Sequence, residues 1–173
     1  HLVTIGRLEK QKNIHGLIKS IYIISKKFPN INLTVVGKGS QKKKLIKLVD
    51  QYNLNKKIKF KDFSNPSKFY KKKGIFILNS FFEGLPNVLV EAMQFQIPII
   101  SSNCLSGPDE ILNNGKFGYL TRVNDEKNTA YTIEKVLLNY PKAIHKAKKG
   151  YKSLHRFELN NQCKKYFQII QNL

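Results

Sequence analysis

A chain of 173 residues, 41% apolar and 24% charged, holds material for one substantial core and too little for two independent lobes. No apolar run nears the ~20 residues that span a membrane, and Phe, Tyr, Ile, Leu and Val are too plentiful for intrinsic disorder. The net charge of +20 is nearly all lysine, since Arg7, Arg122 and Arg156 are the only arginines among 31 basic residues, and this argues against a nucleic-acid reader.

Leu2 to Ile5 reads as a strand. Asn13 caps a helix whose Ile14, Leu17, Ile18, Ile21 and Ile24 fall at three- and four-residue spacings. Ile31 to Val36 is a buried strand ending in Gly37-Lys38-Gly39, and the next helix carries Leu45, Leu48, Val49 and Tyr52. Ile58 to Phe60 is a short strand, Ser67 to Lys72 a short helix, and Ile75 to Leu78 another strand. A helix opens at Pro86 and runs to about Phe95, followed by a strand from Ile97 to Ser101, a short helix from Asp109 to Leu112 and a strand from Gly118 to Thr121. From Asp125 to Leu173 the pattern predicts two or three helices and no strand. Strand and helix alternating in this way predict a single α/β domain, a doubly wound parallel sheet of about six strands with helices on both faces. Such sheets bind ligands beyond the carboxyl ends of their strands, which directs attention to the loops after Ile5, Val36, Phe60, Leu78 and Ser101.

The stretch from Ser80 to Met93 leaves a strand, turns at Gly84 and enters a helix with Pro86 at its first position. Free amides at Gly84, Asn87 and Val88 would offer an anion site at the helix start. Glu83 precedes the turn, and Glu91 lies roughly 7–8 Å along the helix axis from Pro86, about the reach from a diphosphate to a ribose. Two carboxylates flanking an anion pocket suit a nucleotide sugar. Between the first strand and its helix, the loop from Gly6 to Asn13 carries Arg7 and Lys12, both able to reach a phosphate.

In this order, TIGRLEKQKNIHGLIKS, LTVVGKGSQKKKL, FEGLPNVLVEAMQFQIPII and GPDEILNNGKFGYL resemble the carboxyl-terminal, donor-binding half of the retaining glycosyltransferases of family 4, the glycosyl transferases group 1. The resemblance covers nearly the whole chain and implies a Rossmann-like sheet forming one lobe of a GT-B fold. It implies that Glu91 holds the ribose of the donor, Glu83 the transferred sugar, and Arg7 and Lys12 the diphosphate leaving group. Arg7, Lys12 and Glu83 would thus be the catalytic residues. Gly6, Leu85 and the amides near Gly84, Asn87 and Val88 would complete the pocket, and Asp62-Phe63-Ser64 would line the base. The implied reaction moves a hexose or N-acetylhexosamine from a UDP-sugar, with retention, to a lipid-linked or polysaccharide acceptor in cell-envelope glycan synthesis. No metal and no cofactor are expected, and no Asp-x-Asp diphosphate clamp occurs in the sequence.

Alternatives within reach of the residues are a GT-B-like nucleotide-sugar epimerase and a non-catalytic nucleotide-sugar-binding or basic surface-binding relic of a split gene. Three departures from the family pattern stand out: Gln96 where a glycine is common, Asn79 where proline is common with no evident consequence, and the lack of an amino-terminal acceptor lobe. The chain begins with His1 inside a strand-like run, so residues 1–173 are expected to be the donor-binding piece of a longer protein. A stripe of Phe167, Ile169, Ile170 and Leu173 on the last helix, which in the family crosses to the other lobe, is then expected to be exposed.

Other readings fare worse. His1, His15, His145 and His155 lack zinc spacing, Gly37-Lys38-Gly39 lacks the third glycine of a dinucleotide fingerprint, and Cys104 reads as filler. Cys104 and Cys163 form no disulfide framework, which suits a cytoplasmic protein. The lysines are scattered through every segment, as lysine-coding bias would scatter them. The second reading of that charge is attraction to an anionic membrane face, at about 1 kcal/mol per nearby Lys.

Overall fold

Leu2–Ile5 (β1) and Ile75–Leu78 (β4) are four-residue apolar runs with every residue buried, the pattern of strands covered on both faces. In the computed structural model, which describes residues 1–63, 65–71 and 74–171, they lie side by side at the centre of a six-stranded sheet. Leu33–Val36 (β2) and Ile58–Lys61 (β3) extend it on one side, and Ile99–Ser102 (β5) and Tyr119–Thr121 (β6) on the other. The strand order is β3-β2-β1-β4-β5-β6, and every pair is parallel. Chain order therefore reverses between β1 and β4, and the loops leaving their carboxyl ends diverge to opposite faces around a crevice.

The helices are Ile14–Ser25 (α1), Lys42–Gln51 (α2), Ser67–Tyr70 (α3), Asn87–Gln94 (α4), Pro108–Ile111 (α5), Glu126–Leu138 (α6), Tyr140–Lys152 (α7) and Leu159–Gln171 (α8). Ile14, Leu17, Ile18, Ile21 and Ile24 of α1 pack with Leu45 and Val49 of α2 and Ile133 and Val136 of α6 on one face of the sheet. On the other face, Tyr70, Leu89, Met93, Ile111 and Leu112 close a second cluster over Val3, Ile5, Phe76 and Leu78. No helix among the described residues is long and apolar enough to cross a membrane. Of the apolar stripe on α8, Phe167, Ile169 and Ile170 are exposed, and Leu173 lies outside the described residues.

Several boundaries differ from the predicted ones. β2 starts at Leu33 instead of Ile31, and β5 runs Ile99–Ser102 instead of Ile97–Ser101, because Pro98 has no N–H for the ladder. Pro86 caps α4 instead of occupying its first turn, since its ψ of 87° is not helical. α5 begins one residue early with Pro108 at its first position, and Lys10–Lys12, expected in a loop, form a 3₁₀ turn. Of the predicted third helix, Lys72 lies outside the described residues, as does Lys73 after it.

α4 ends against Gln96, which is exposed and left-handed at φ 52°. A side chain there costs about 1 kcal/mol that glycine would not pay. Gln96→Gly is expected to raise stability by about 1 kcal/mol and the melting temperature by about 2–4 °C. An unchanged or lower melting temperature in thermal unfolding would show that the cap is not strained.

Candidate functional site

The loop after β1 is held from below by the loop after β2. Gly6 donates to Val36 (3.0 Å), Leu8 to the Lys38 carbonyl (2.8 Å), and Gln41 to the Leu8 carbonyl (2.9 Å). A Cβ on Gly37 would lie 1.9 Å from the Gly6 carbonyl oxygen, and one on Gly39 2.5 Å from that of Leu8. Gly37 and Gly39 are therefore glycines because two backbones meet there, which accounts for a glycine pair lacking the rest of a dinucleotide fingerprint.

The loops after β1 and β4 are stitched across the crevice. Phe81 donates to the Gln11 carbonyl (2.8 Å) and the Gln11 side chain to that of Phe82 (2.9 Å). Asn13 caps α1 from a left-handed conformation (φ 47°), its Oδ1 accepting from Gly16 at 3.2 Å. The Asn13 carbonyl accepts from Nδ2 of buried Asn79 (3.1 Å), whose Oδ1 accepts from Thr129 on α6 (3.4 Å). Asn79, read from the sequence as without consequence, thus ties the end of β4 to the start of α1 and to α6. Proline could make neither bond.

This stitching brings Lys12 onto Glu83. Nζ of Lys12 lies 2.6 Å from Glu83 Oε1, with side chains 14% and 7% exposed, so the pair is largely out of water. Ser80, fully buried, donates from Oγ to the same Oε1 at 2.5 Å, and its own carbonyl accepts from Ser102 Oγ at 2.7 Å. Cys104 is buried close by; burial above all, and the Glu83 charge with it, push its thiol up against a lowering hydrogen bond from Ser102.

Glu91 projects one turn into α4 and is half-buried. Its Oε2 accepts from the Tyr70 hydroxyl at 3.3 Å. Burial, and next the neighbouring Glu91 charge, raise the Tyr70 phenol far above its ordinary range, so it remains a donor. At the start of α4 the amides of Asn87 and Val88 meet no acceptor among the described residues, leaving the helix's positive end open. The turn before it leans on Gly107 (φ 92°), where a Cβ would lie 2.3 Å from the Gly84 carbonyl oxygen. A Cβ on Gly84 itself would meet nothing within 4 Å.

Two groups therefore assemble around the α4 start: Lys12, Ser80 and Glu83 on one side, Tyr70 and Glu91 on the other. Arg7 is exposed at the crevice edge and joins neither group by an ion pair or hydrogen bond among the described residues. Phe63 (61% exposed) presents its ring after β3, and Leu85 (55%) faces solvent beside the turn. Gly6 is half-buried against the Lys12 stem, and Ser64 lies outside the described residues. Asp62 is committed to Lys42 at 2.7 Å. His15 lies against Phe81 with ring centroids 6.1 Å apart.

Sequence reasoning missed the direct Lys12–Glu83 contact and the two hydroxyls, Ser80 and Tyr70. Ser80 stands three residues before Glu83, a weak local signal. Tyr70 carried none.

The family model described as "Glycosyl transferases group 1" matches residues 1–153. An uncharacterised glycosyltransferase of Methanocaldococcus jannaschii is 37% identical over 134 residues, 69% of this chain and 33% of that protein. In Campylobacter jejuni, the N-acetylgalactosamine-N,N'-diacetylbacillosaminyl-diphospho-undecaprenol 4-alpha-N-acetylgalactosaminyltransferase is 30% identical over 170 residues, 95% of this chain and 46% of the relative. The chain thus spans about a third to a half of these curated relatives. Among solved structures, Anabaena HepE in complex with UDP matches 99% of this chain with 49% of its own, at a TM-score of 0.87 and 20% identity. The C-terminal domain of a Francisella tularensis glycosyl transferase group 1 family protein, LpcC, matches 92% of this chain with 87% of its own, at 0.80 and 24%. These likenesses show the fold.

Proposed function

The chain belongs to the glycosyl transferases group 1 and carries the fold of their C-terminal lobe, and from that premise we propose that it is the donor-binding domain of a retaining, metal-independent glycosyltransferase. The observation that carries the reading is the placement of Glu83 and Glu91 on either side of an open helix start, with Lys12 between strand ends and against Glu83. A nucleotide sugar has the same order of groups: hydroxyls, diphosphate, hydroxyls.

In this reading the diphosphate lies at the Asn87 and Val88 amides, with Lys12 and Arg7 neutralising the charge that grows as the sugar departs. Glu83 accepts from hydroxyls of the transferred sugar and Glu91 from the ribose. Phe63 offers a ring for the base to stack on. Gly84 leaves backbone open to the ligand, and Gly6, Leu85 and Val88 complete the walls. The donor is a UDP-linked hexose or N-acetylhexosamine and the acceptor a lipid-linked or polysaccharide glycan of the cell envelope. The Campylobacter jejuni relative, whose name specifies a lipid diphosphate acceptor and N-acetylgalactosamine transfer, supports this choice, and the HepE complex supports UDP. The acceptor site and the opposing wall belong to a further lobe of the whole enzyme, because rate depends on aligning two substrates in a dry cleft.

Titration calorimetry of the chain with UDP, GDP and ADP, each with excess chelator, tests the reading. UDP is expected to bind, with a dissociation constant between roughly 10 µM and 1 mM, and more tightly than the purine nucleotides. Absence of heat with all three would overturn the donor site.

A further inference from the structure

Each glutamate of the crevice is gripped at one oxygen and free at the other. Glu83 Oε1 takes both Lys12 Nζ (2.6 Å) and Ser80 Oγ (2.5 Å), and Oε2 has no partner among the described residues. Glu91 Oε2 takes the Tyr70 hydroxyl (3.3 Å), and Oε1 has no partner among them. We propose that Ser80 and Tyr70 are positioning residues that orient Glu83 toward the transferred sugar and Glu91 toward the ribose; this rests on the donor-site reading above.

The anchors are themselves tightly packed. Tyr70 is 1% exposed, with its ring 5.6 Å edge-on from Phe76 and 5.2 Å stacked from Phe95, so the hydroxyl stays where the packing puts it. That hydroxyl has one proton and two acceptors in range, Glu91 Oε2 at 3.3 Å and the Val88 carbonyl at 3.4 Å. The charged oxygen is the stronger acceptor. Ser80 is fully buried and pinned through its carbonyl by Ser102 at the end of β5.

The need for such anchors follows from the side chain. The terminal torsion of a glutamate is broad, so an unheld carboxylate samples many orientations that binding must then suppress. Fixing one oxygen leaves the other aimed before the ligand arrives. The alternative role for both hydroxyls is structural, as links between α3 and α4 and between β4 and its loop.

Calorimetry with UDP and with a panel of UDP-glucose, UDP-galactose and their N-acetylated counterparts separates the two. Tyr70→Phe and Ser80→Ala each delete a hydroxyl and little volume. Tyr70→Phe is expected to weaken UDP and UDP-sugar by the same factor, about three- to tenfold. Ser80→Ala is expected to weaken only the UDP-sugar, by a similar factor, with UDP within about twofold of the wild-type chain. In Glu91→Ala and Glu83→Ala backgrounds, respectively, each loss should vanish, because a positioning residue acts through the group it positions. Losses that persist in those backgrounds, or that strike both ligands alike for Ser80, would overturn the positioning roles while leaving the donor site standing. Failure of the wild-type chain to bind UDP would overturn the donor site and these roles with it.

Discussion

Lys12→Met is expected to cost about 3–5 kcal/mol of folding stability, because it strands a carboxylate that is only 7% exposed. Desolvating Glu83 is tolerable while an ammonium stands 2.6 Å away. Without Lys12, the Ser80 hydroxyl alone has to compensate a full charge in a poorly solvated crevice. The same change should abolish measurable UDP binding, since in the proposed donor site the diphosphate loses the Lys12 cation. The double change Lys12→Met with Glu83→Gln removes both charges together and should recover most of the stability while recovering none of the binding. Urea unfolding of the single and double variants, with calorimetry beside it, measures both effects. A cost below about 1 kcal/mol for the single variant would mean that water reaches Glu83 well enough to replace the lysine.

Glu91→Ala should leave the fold nearly unchanged and weaken UDP about ten- to a hundredfold, the range expected when hydrogen bonds to a charged group are lost. The residue is half-buried on α4 and makes no ion pair among the described residues, and its removal leaves the Tyr70 hydroxyl a second acceptor in the Val88 carbonyl at 3.4 Å. UDP and UDP-sugar should lose the same factor, because the ribose is common to both. A Glu91→Ala chain that binds UDP as the wild type does would place the ribose elsewhere, and a large loss of stability would mark Glu91 as a structural residue instead.

Elements whose causes are local can be read from the residues alone. β1 and β4 are apolar runs that have no stable alternative to burial on both faces, and α1 declares itself through Asn13 and the spacing of its five isoleucine and leucine positions. The parallel sheet follows from alternation, and the crevice at the carboxyl ends of the strands follows from the sheet. The residues from Glu83 to Glu91 were readable as a candidate site because a turn, a proline and a helix period fix their separation along one short stretch. Where local rules compete, the reading slipped by one or two residues, as at Ile31, Pro86 and Pro98.

Which side chains meet is set by long-range packing. Lys12 and Glu83 are 71 positions apart and Tyr70 and Glu91 are 21 apart; no periodicity encodes either pair. They meet because reversal of strand order sets the β1 and β4 loops side by side and lays α3 against α4. The same reversal brings Asn79 to Asn13, while the packing of neighbouring strand-end loops makes Gly37, Gly39 and Gly107 obligatory, since each stands where another backbone passes within about a Cβ radius. Sequence patterns report what a segment does along its own axis. The gripping of each carboxylate at one oxygen depends on a second segment arriving from elsewhere, and that was decided by the packing of the whole sheet.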